Sequence, residues 1–180
     1  VQLARIAKTN YFYDDRAGFM DNLAADIRLL AKKAAARGLV PLVRLNGTSD
    51  IKWENVPFGQ YPNIMAAFPD ITFYDYTKLS NRDNVPANYD LTFSISGVDS
   101  FKPIITKALK NNNLMRYAVV FSHRDRIPNT FANMPVIDGD NSDLRFLERA
   151  NVVVGLYAKG KAKKDTTGFV KYPTIMLKAA

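Results

Sequence analysis

Leu91-Thr92-Phe93-Ser94-Ile95-Ser96, then Phe101 to Leu109, then Tyr117-Ala118-Val119-Val120-Phe121: the reading of this stretch decides the fold. Two short apolar runs flank a segment with helical spacing, in which Pro103 sits acceptably in the first turn and Asn111-Asn112-Asn113 closes the helix. A connection of roughly twenty residues is too long for a hairpin and suits a crossover between parallel strands. Hairpins join their strands through two- to five-residue turns, and no such turn is visible between the runs.

The same rhythm extends to both sides. Pro41-Leu42-Val43-Arg44-Leu45-Asn46, Ile71-Thr72-Phe73-Tyr74-Asp75-Tyr76, Pro135-Val136-Ile137-Asp138 and Val152-Val153-Val154-Gly155-Leu156-Tyr157 are further strand candidates. Residues 16–37 read as an amphipathic helix with Phe19, Leu23, Ile27, Leu30 and Ala34 on one face, stopped by Gly38. Shorter helices are expected over 63–68 and 144–150. The expectation is a single α/β domain over 1–180, with a mostly parallel sheet of about six strands, outer helices and a basic tail region over 159–180. The sheet is either open or curled into a partial (β/α)6 barrel.

Composition narrows the function classes. Hydrophobic residues make up 47% and aromatics 12%, enough for a packed core. There is no cysteine, which excludes disulfides and any thiolate-held zinc or iron–sulfur site within these residues. No stretch reaches the roughly 18 apolar residues of a membrane span. Val1 to Asn10 carries Arg5 and Lys8 and has no signal-peptide core, so no membrane association is expected and the expected compartment is the cytoplasm. The chain begins at Val1 rather than methionine, which leaves room for upstream residues. The net charge of +8, from 25 basic and 17 acidic side chains, points to nucleic acid or another polyanion as partner. The plainer reading is a basic protein with no such partner.

Residues just beyond parallel strand ends are where α/β proteins keep their chemistry. On that rule Asn46, Asp50, Lys78, Ser94, His123, Asp138 and Lys159 form the candidate site, expected to converge on one end of the sheet. Asn46-Gly47-Thr48-Ser49-Asp50 offers hydrogen-bonding groups around a glycine, or else a turn in which Ser49 or Asp50 caps the next helical segment. It lacks the Gly-Lys-Ser/Thr of a P-loop. Asp75 shares a strand face with Phe73 and Thr77 and needs a partner there, either Lys78 or Arg44. Ser94 shares its face with Thr92 and Ser96, and neither serine sits in a G-x-S-x-G elbow. His123 is the only histidine: a well-placed general base, or an ordinary loop residue. Asp138, Asp140 and Asp143 lie within Asp138-Gly139-Asp140-Asn141-Ser142-Asp143 and could hold a hard cation. The later glutamate of a calcium loop is missing, and Asn141 or Ser142 could instead cap a helix at 144–150. Lys159, Lys161, Lys163 and Lys164 are either a phosphate-contacting patch or a solvated loop, with Tyr157, Phe169 and Tyr172 the nearby aromatics.

Val43-Arg44-Leu45-Asn46-Gly47-Thr48-Ser49-Asp50-Ile51, Phe73-Tyr74-Asp75-Tyr76-Thr77-Lys78, Leu91-Thr92-Phe93-Ser94, Val136-Ile137-Asp138-Gly139-Asp140 and Ser142-Asp143-Leu144-Arg145-Phe146 together resemble the bacteriophage gene product 88 family, from about Arg5 to Phe169. The resemblance implies a phage or mobile-element protein, in the host cell cytoplasm, and brings little mechanism. Related phage families carry an upstream cysteine segment laid out like that of radical S-adenosylmethionine enzymes, which use a partial (β/α)6 barrel. An iron–sulfur cluster and S-adenosylmethionine are implied here only if such a segment precedes Val1. Two functions stand side by side: a ligand-binding or catalytic site at the strand ends, or a non-catalytic nucleic-acid-binding, accessory or structural protein. Whether the chain is an enzyme is left open by its residues.

Overall fold

The computed structural model describes residues 2–172. Seven strands form the sheet: β1 (Leu42–Val43), β2 (Thr72–Thr77), β3 (Tyr89–Ser94), β4 (Arg116–Phe121), β5 (Thr130–Phe131), β6 (Met134–Asp138) and β7 (Val153–Tyr157). Their order is β1-β2-β3-β4-β7-β6-β5. The helices are α1 (Gln2–Asp14), α2 (Arg16–Ala35), α3 (Ile64–Ala67) and α4 (Lys102–Ala108). β1 pairs with β2, β3 with β4, β4 with β7 and β7 with β6, all in parallel. The mostly parallel α/β expectation therefore holds.

The chain divides into two compact units. The first is Val1–Asp75 with Asp83–Asp90, and the second is Tyr76–Arg82 with Leu91–Ala180. β2 and β3 each run through the boundary. In the first unit, Phe12 of α1 packs edge-on against Trp53 and Phe19, with ring centroids 5.3 Å away in both cases. Asp15 separates the two helices and caps α2, accepting from Gly18 N–H at 3.0 Å. α2 buries Met20, Ala24, Ile27 and Ala34, so its inward stripe is turned slightly from the expected one and Leu30 is exposed. Gly38, at φ +61°, ends the helix as expected. α1 was not expected, because Phe12 is its one buried side chain and it therefore has no apolar stripe to read.

In the second unit β4 and β7 form the centre, in register from Tyr117↔Val153 to Phe121↔Tyr157. Val119, Val153 and Val154 are buried, as both-face burial in a parallel sheet requires. Each such side chain contributes about 1.5–3 kcal/mol. Two expectations need correction here. An antiparallel hairpin does exist: β5 and β6 pair through Phe131↔Met134. Its two-residue turn places Ala132 at φ +48° and Asn133 at φ +61°, a mirror-image turn without its usual Asn-Gly signature. The helix expected at 144–150 is a single 3-10 turn over Arg145–Leu147. The basic region from 159 is described to residue 172. Gly160–Lys164 makes a 3-10 turn, and Lys171 lies alongside β4, donating its N–H to Val120 O at 2.8 Å and accepting from Ser122 N–H at 2.9 Å. Gly97 and Gly168 meet so closely there that a Cβ on Gly97 would lie 1.8 Å from Gly168 O. The remainder of the expected tail, 173–180, lies outside the described residues.

Charge is divided unevenly. The first unit carries nine basic and ten acidic side chains, the second sixteen basic and seven acidic. The whole positive excess of the protein therefore belongs to the second unit.

Candidate functional site

In the first unit the site residues are Asn46 and Asp50, just past β1. β1 pairs with β2 only through Leu42 and Val43, and beyond it the Asn46 N–H donates to the Asp75 side chain, at Oδ1, over 2.8 Å. The Asn46 side chain then ties the loop together. Its Oδ1 accepts from Ser49 Oγ, Ile51 N–H and the Trp53 indole N–H at 2.9–3.0 Å, and its Nδ2 donates to Ile51 O at 3.0 Å. This replaces the expected capping by Ser49 or Asp50; the Trp53–Asn55 turn begins at Lys52 with no side-chain cap. Asp50 is half-buried on the wall of a cavity of about 600 Å³.

Asp75 is buried, on the same face as Phe73 and Thr77, as strand alternation requires. Its Oδ2 accepts from the Tyr89 hydroxyl at 2.8 Å, and Arg44 Nε stands 4.0 Å from Oδ1. Arg44 was one of the two expected partners, but Tyr89 and the Asn46 N–H are the closer ones. Burial pushes the Asp75 carboxyl up from 3.8 to about 6, against the opposing pull of Tyr89, Asn46 and Arg44.

The remaining candidates lie in the second unit. β3, β4, β7 and β6 are parallel, so their C-terminal ends share one edge. Ser94 ends β3, His123 follows β4, Asp138 ends β6 and Lys159 follows β7. Lys78 reaches this edge, with its Nζ 3.5 Å from Ser94 Oγ and 4.7 Å from the Phe169 ring centroid. His123 is exposed, its Nδ1 3.0 Å from Ser122 Oγ.

The acidic cluster is occupied by cations of the protein itself. Arg124 donates to Asp138 Oδ2 at 2.9 Å, and Lys159 donates to Asp140 Oδ1 at 2.6 Å. The Asp140 N–H and Arg124 together hold the Asp138 carboxyl below its ordinary range, and the Asp140 hydrogen bond holds the Lys159 ammonium above its own. Asp143 is exposed, 3.7 Å from the Arg145 guanidinium. Among the described residues no group of three or more His, Asp or Glu is arranged to hold a metal ion. Ser142 caps no helix; its Oγ accepts from Leu144 N–H within the loop.

The residue that organises this loop is Arg145, fully buried and not among the candidates. It donates to Tyr76 Oη and Glu148 Oε1, both at 2.6 Å, and to the carbonyls of Gly139 and Ser142. An arginine in a polar string carries no sequence signal that it will be buried. A cavity of about 490 Å³ opens beside the loop, lined by Asp140, Asn141, Tyr157, Lys159 and Phe169 among others. Lys159 Nζ lies 4.6 Å from the Tyr157 ring centroid. Lys161, Lys163 and Lys164 follow on the surface.

Fold and site thus define a parallel-sheet α/β protein whose strand ends are polar and, in its second unit, cationic. The gene product 88 family model matches residues 1–173, and the chain belongs to this phage protein family. No curated protein and no solved structure matches it. The likeness to radical S-adenosylmethionine barrels accordingly gains no support. Among the described residues no helix is long and apolar enough to cross a membrane.

Proposed function

We propose that the protein binds single-stranded nucleic acid along the strand-end edge of its second unit. The observation that carries the reading is the charge division: sixteen basic against seven acidic side chains in that unit, near balance in the other. Charge alone attracts any polyanion. The edge adds what single strands select, aromatic rings beside cations: Phe169 next to Lys78, and Tyr157 next to Lys159. Lys161, Lys163 and Lys164 extend the cationic surface along the chain. Phosphates would pair with these lysines, and a base would enter the cavity against Tyr157 and Phe169.

The test is a titration of fluorescein-labelled oligothymidylate at low and at physiological salt. Binding is expected at both, weakening as salt rises. Lys161→Ala, Lys163→Ala and Lys164→Ala together are expected to reduce the slope of log affinity against log salt by about 2, at roughly 0.7 per phosphate contact for single strands. Phe169→Ala should weaken binding with the slope unchanged. No retention at low salt, or complete loss at physiological salt, would reject the reading.

A further inference from the structure

The cavity in the first unit belongs to a different chemistry. It measures about 600 Å³, within the range of roughly 300–1,000 Å³ typical of small-molecule sites. α1 supplies one wall and the Asn46–Ile51 loop the other. Its floor is aromatic: Phe12 and Trp53, both buried, reach the cavity. The Trp53 indole N–H is already donated to Asn46 Oδ1, so what the ring offers a ligand is apolar surface. Its rim is cationic, with Arg5, Lys8 and Arg44 against the single carboxylate Asp50. The unit as a whole has no positive excess, so this concentration of cations is local.

The loop wall suits an anion as well. Asn46 holds it in place through the hydrogen bonds described above. Among the described residues the backbone N–H groups of Gly47 and Thr48 donate to no protein acceptor. A Cβ on Gly47 would meet nothing within 4 Å, so the backbone there is open to close approach. An aromatic floor, a cationic rim and open backbone donors are the complement of a planar ring bearing a phosphate.

We infer that this cavity is a binding site for a small phosphorylated ligand with a planar ring, the chemistry of a nucleoside monophosphate. It is independent of the edge proposed for nucleic acid, since every residue that forms it belongs to the first unit.

Trp53 is the only tryptophan of the chain and lies in the cavity, so its fluorescence is a built-in reporter. The full-length chain is titrated with AMP, adenosine and inorganic phosphate, with excitation at the red edge of the tryptophan band and calorimetry in parallel. AMP is expected to give a saturable fluorescence change at one site per chain. Adenosine and phosphate alone should each bind at least about tenfold more weakly, because each lacks one half of the recognition. Arg5→Glu with Lys8→Glu, exposed changes on α1, should weaken AMP by about tenfold or more. Arg37→Glu, the same charge change outside the cavity, should leave it unaltered, and so should the triple lysine-to-alanine variant of the second unit. No saturable change with AMP at millimolar concentration would overturn the inference. So would AMP binding indifferent to the α1 reversal, or AMP binding no tighter than phosphate alone.

Discussion

Replacing Asp75 by asparagine tests whether the buried carboxylate is maintained at a cost to stability. The folded-state pKa, about 6, lies above the ordinary value of 3.8. The native state therefore holds the proton more tightly than the unfolded chain, and stability falls as pH rises from about 4 through about 6. Over the whole shift the loss is about 3 kcal/mol, at 1.36 kcal/mol per unit. Linkage with these two values puts about 1.6 kcal/mol of that loss already in place at pH 5, and nearly all of it at pH 7.5. Asparagine keeps an oxygen for the Asn46 N–H and sets an N–H where the protonated carboxyl would carry its O–H, facing the Tyr89 hydroxyl. It thus imitates the protonated form at every pH. Urea unfolding followed by Trp53 fluorescence, in the same unit as Asp75, should show wild type losing about 1.4 kcal/mol more than Asp75→Asn between pH 5 and 7.5. Carboxylates elsewhere cancel in this difference. Parallel pH dependences for the two proteins would refute the claim that Asp75 is ionised against a burial penalty.

Arg145→Met removes the donors to Tyr76, Glu148, Gly139 and Ser142 and should cost about 3–5 kcal/mol in thermal or urea unfolding, with Arg145→Lys failing to restore it because a single ammonium cannot replace the fork. Thr92→Val removes a buried hydroxyl that has no hydrogen-bond partner among the described residues; unfolding should show the variant equal to wild type or up to about 1 kcal/mol more stable, and a clear loss would mean the hydroxyl is satisfied. Gly97→Ala drives a methyl into the carbonyl oxygen of Gly168 and should lower stability by about 1–3 kcal/mol, measured as a shift in melting temperature.

Apolar runs and their spacing made the parallel strands legible, because strands buried on both faces must be apolar almost throughout. The elements that escaped obey other rules. α1 buries one ring and so has no stripe. The β5–β6 turn relies on Ala132 at a positive φ, a choice that local chemistry does not favour. The loop at 139–148 coils around the Arg145 guanidinium instead of forming a helix. Asn88, Asn111 and Asn113 read as turn residues, yet their side-chain amides clamp neighbouring carbonyls: Asn88 those of Met65, Phe68 and Ile71, and the other two that of Arg82. For the site, the strand-end rule located Ser94, His123, Asp138 and Lys159 on one edge without contact information. It could not anticipate that Asp138 and Asp140 would be neutralised by Arg124 and Lys159, because those pairings depend on side-chain reach across strands.

The two units are interleaved along the chain, since Tyr76–Arg82 belongs with the later residues and Asp83–Asp90 with the earlier ones. During synthesis the first unit lacks a part until residue 90 has left the ribosome, including Tyr89, the closest side-chain partner of Asp75. The second meanwhile begins with a seven-residue piece that must wait for partners from residue 91 onward. No single recombination breakpoint separates them. A crossover at any one point therefore leaves at least one of the two units assembled from both parents.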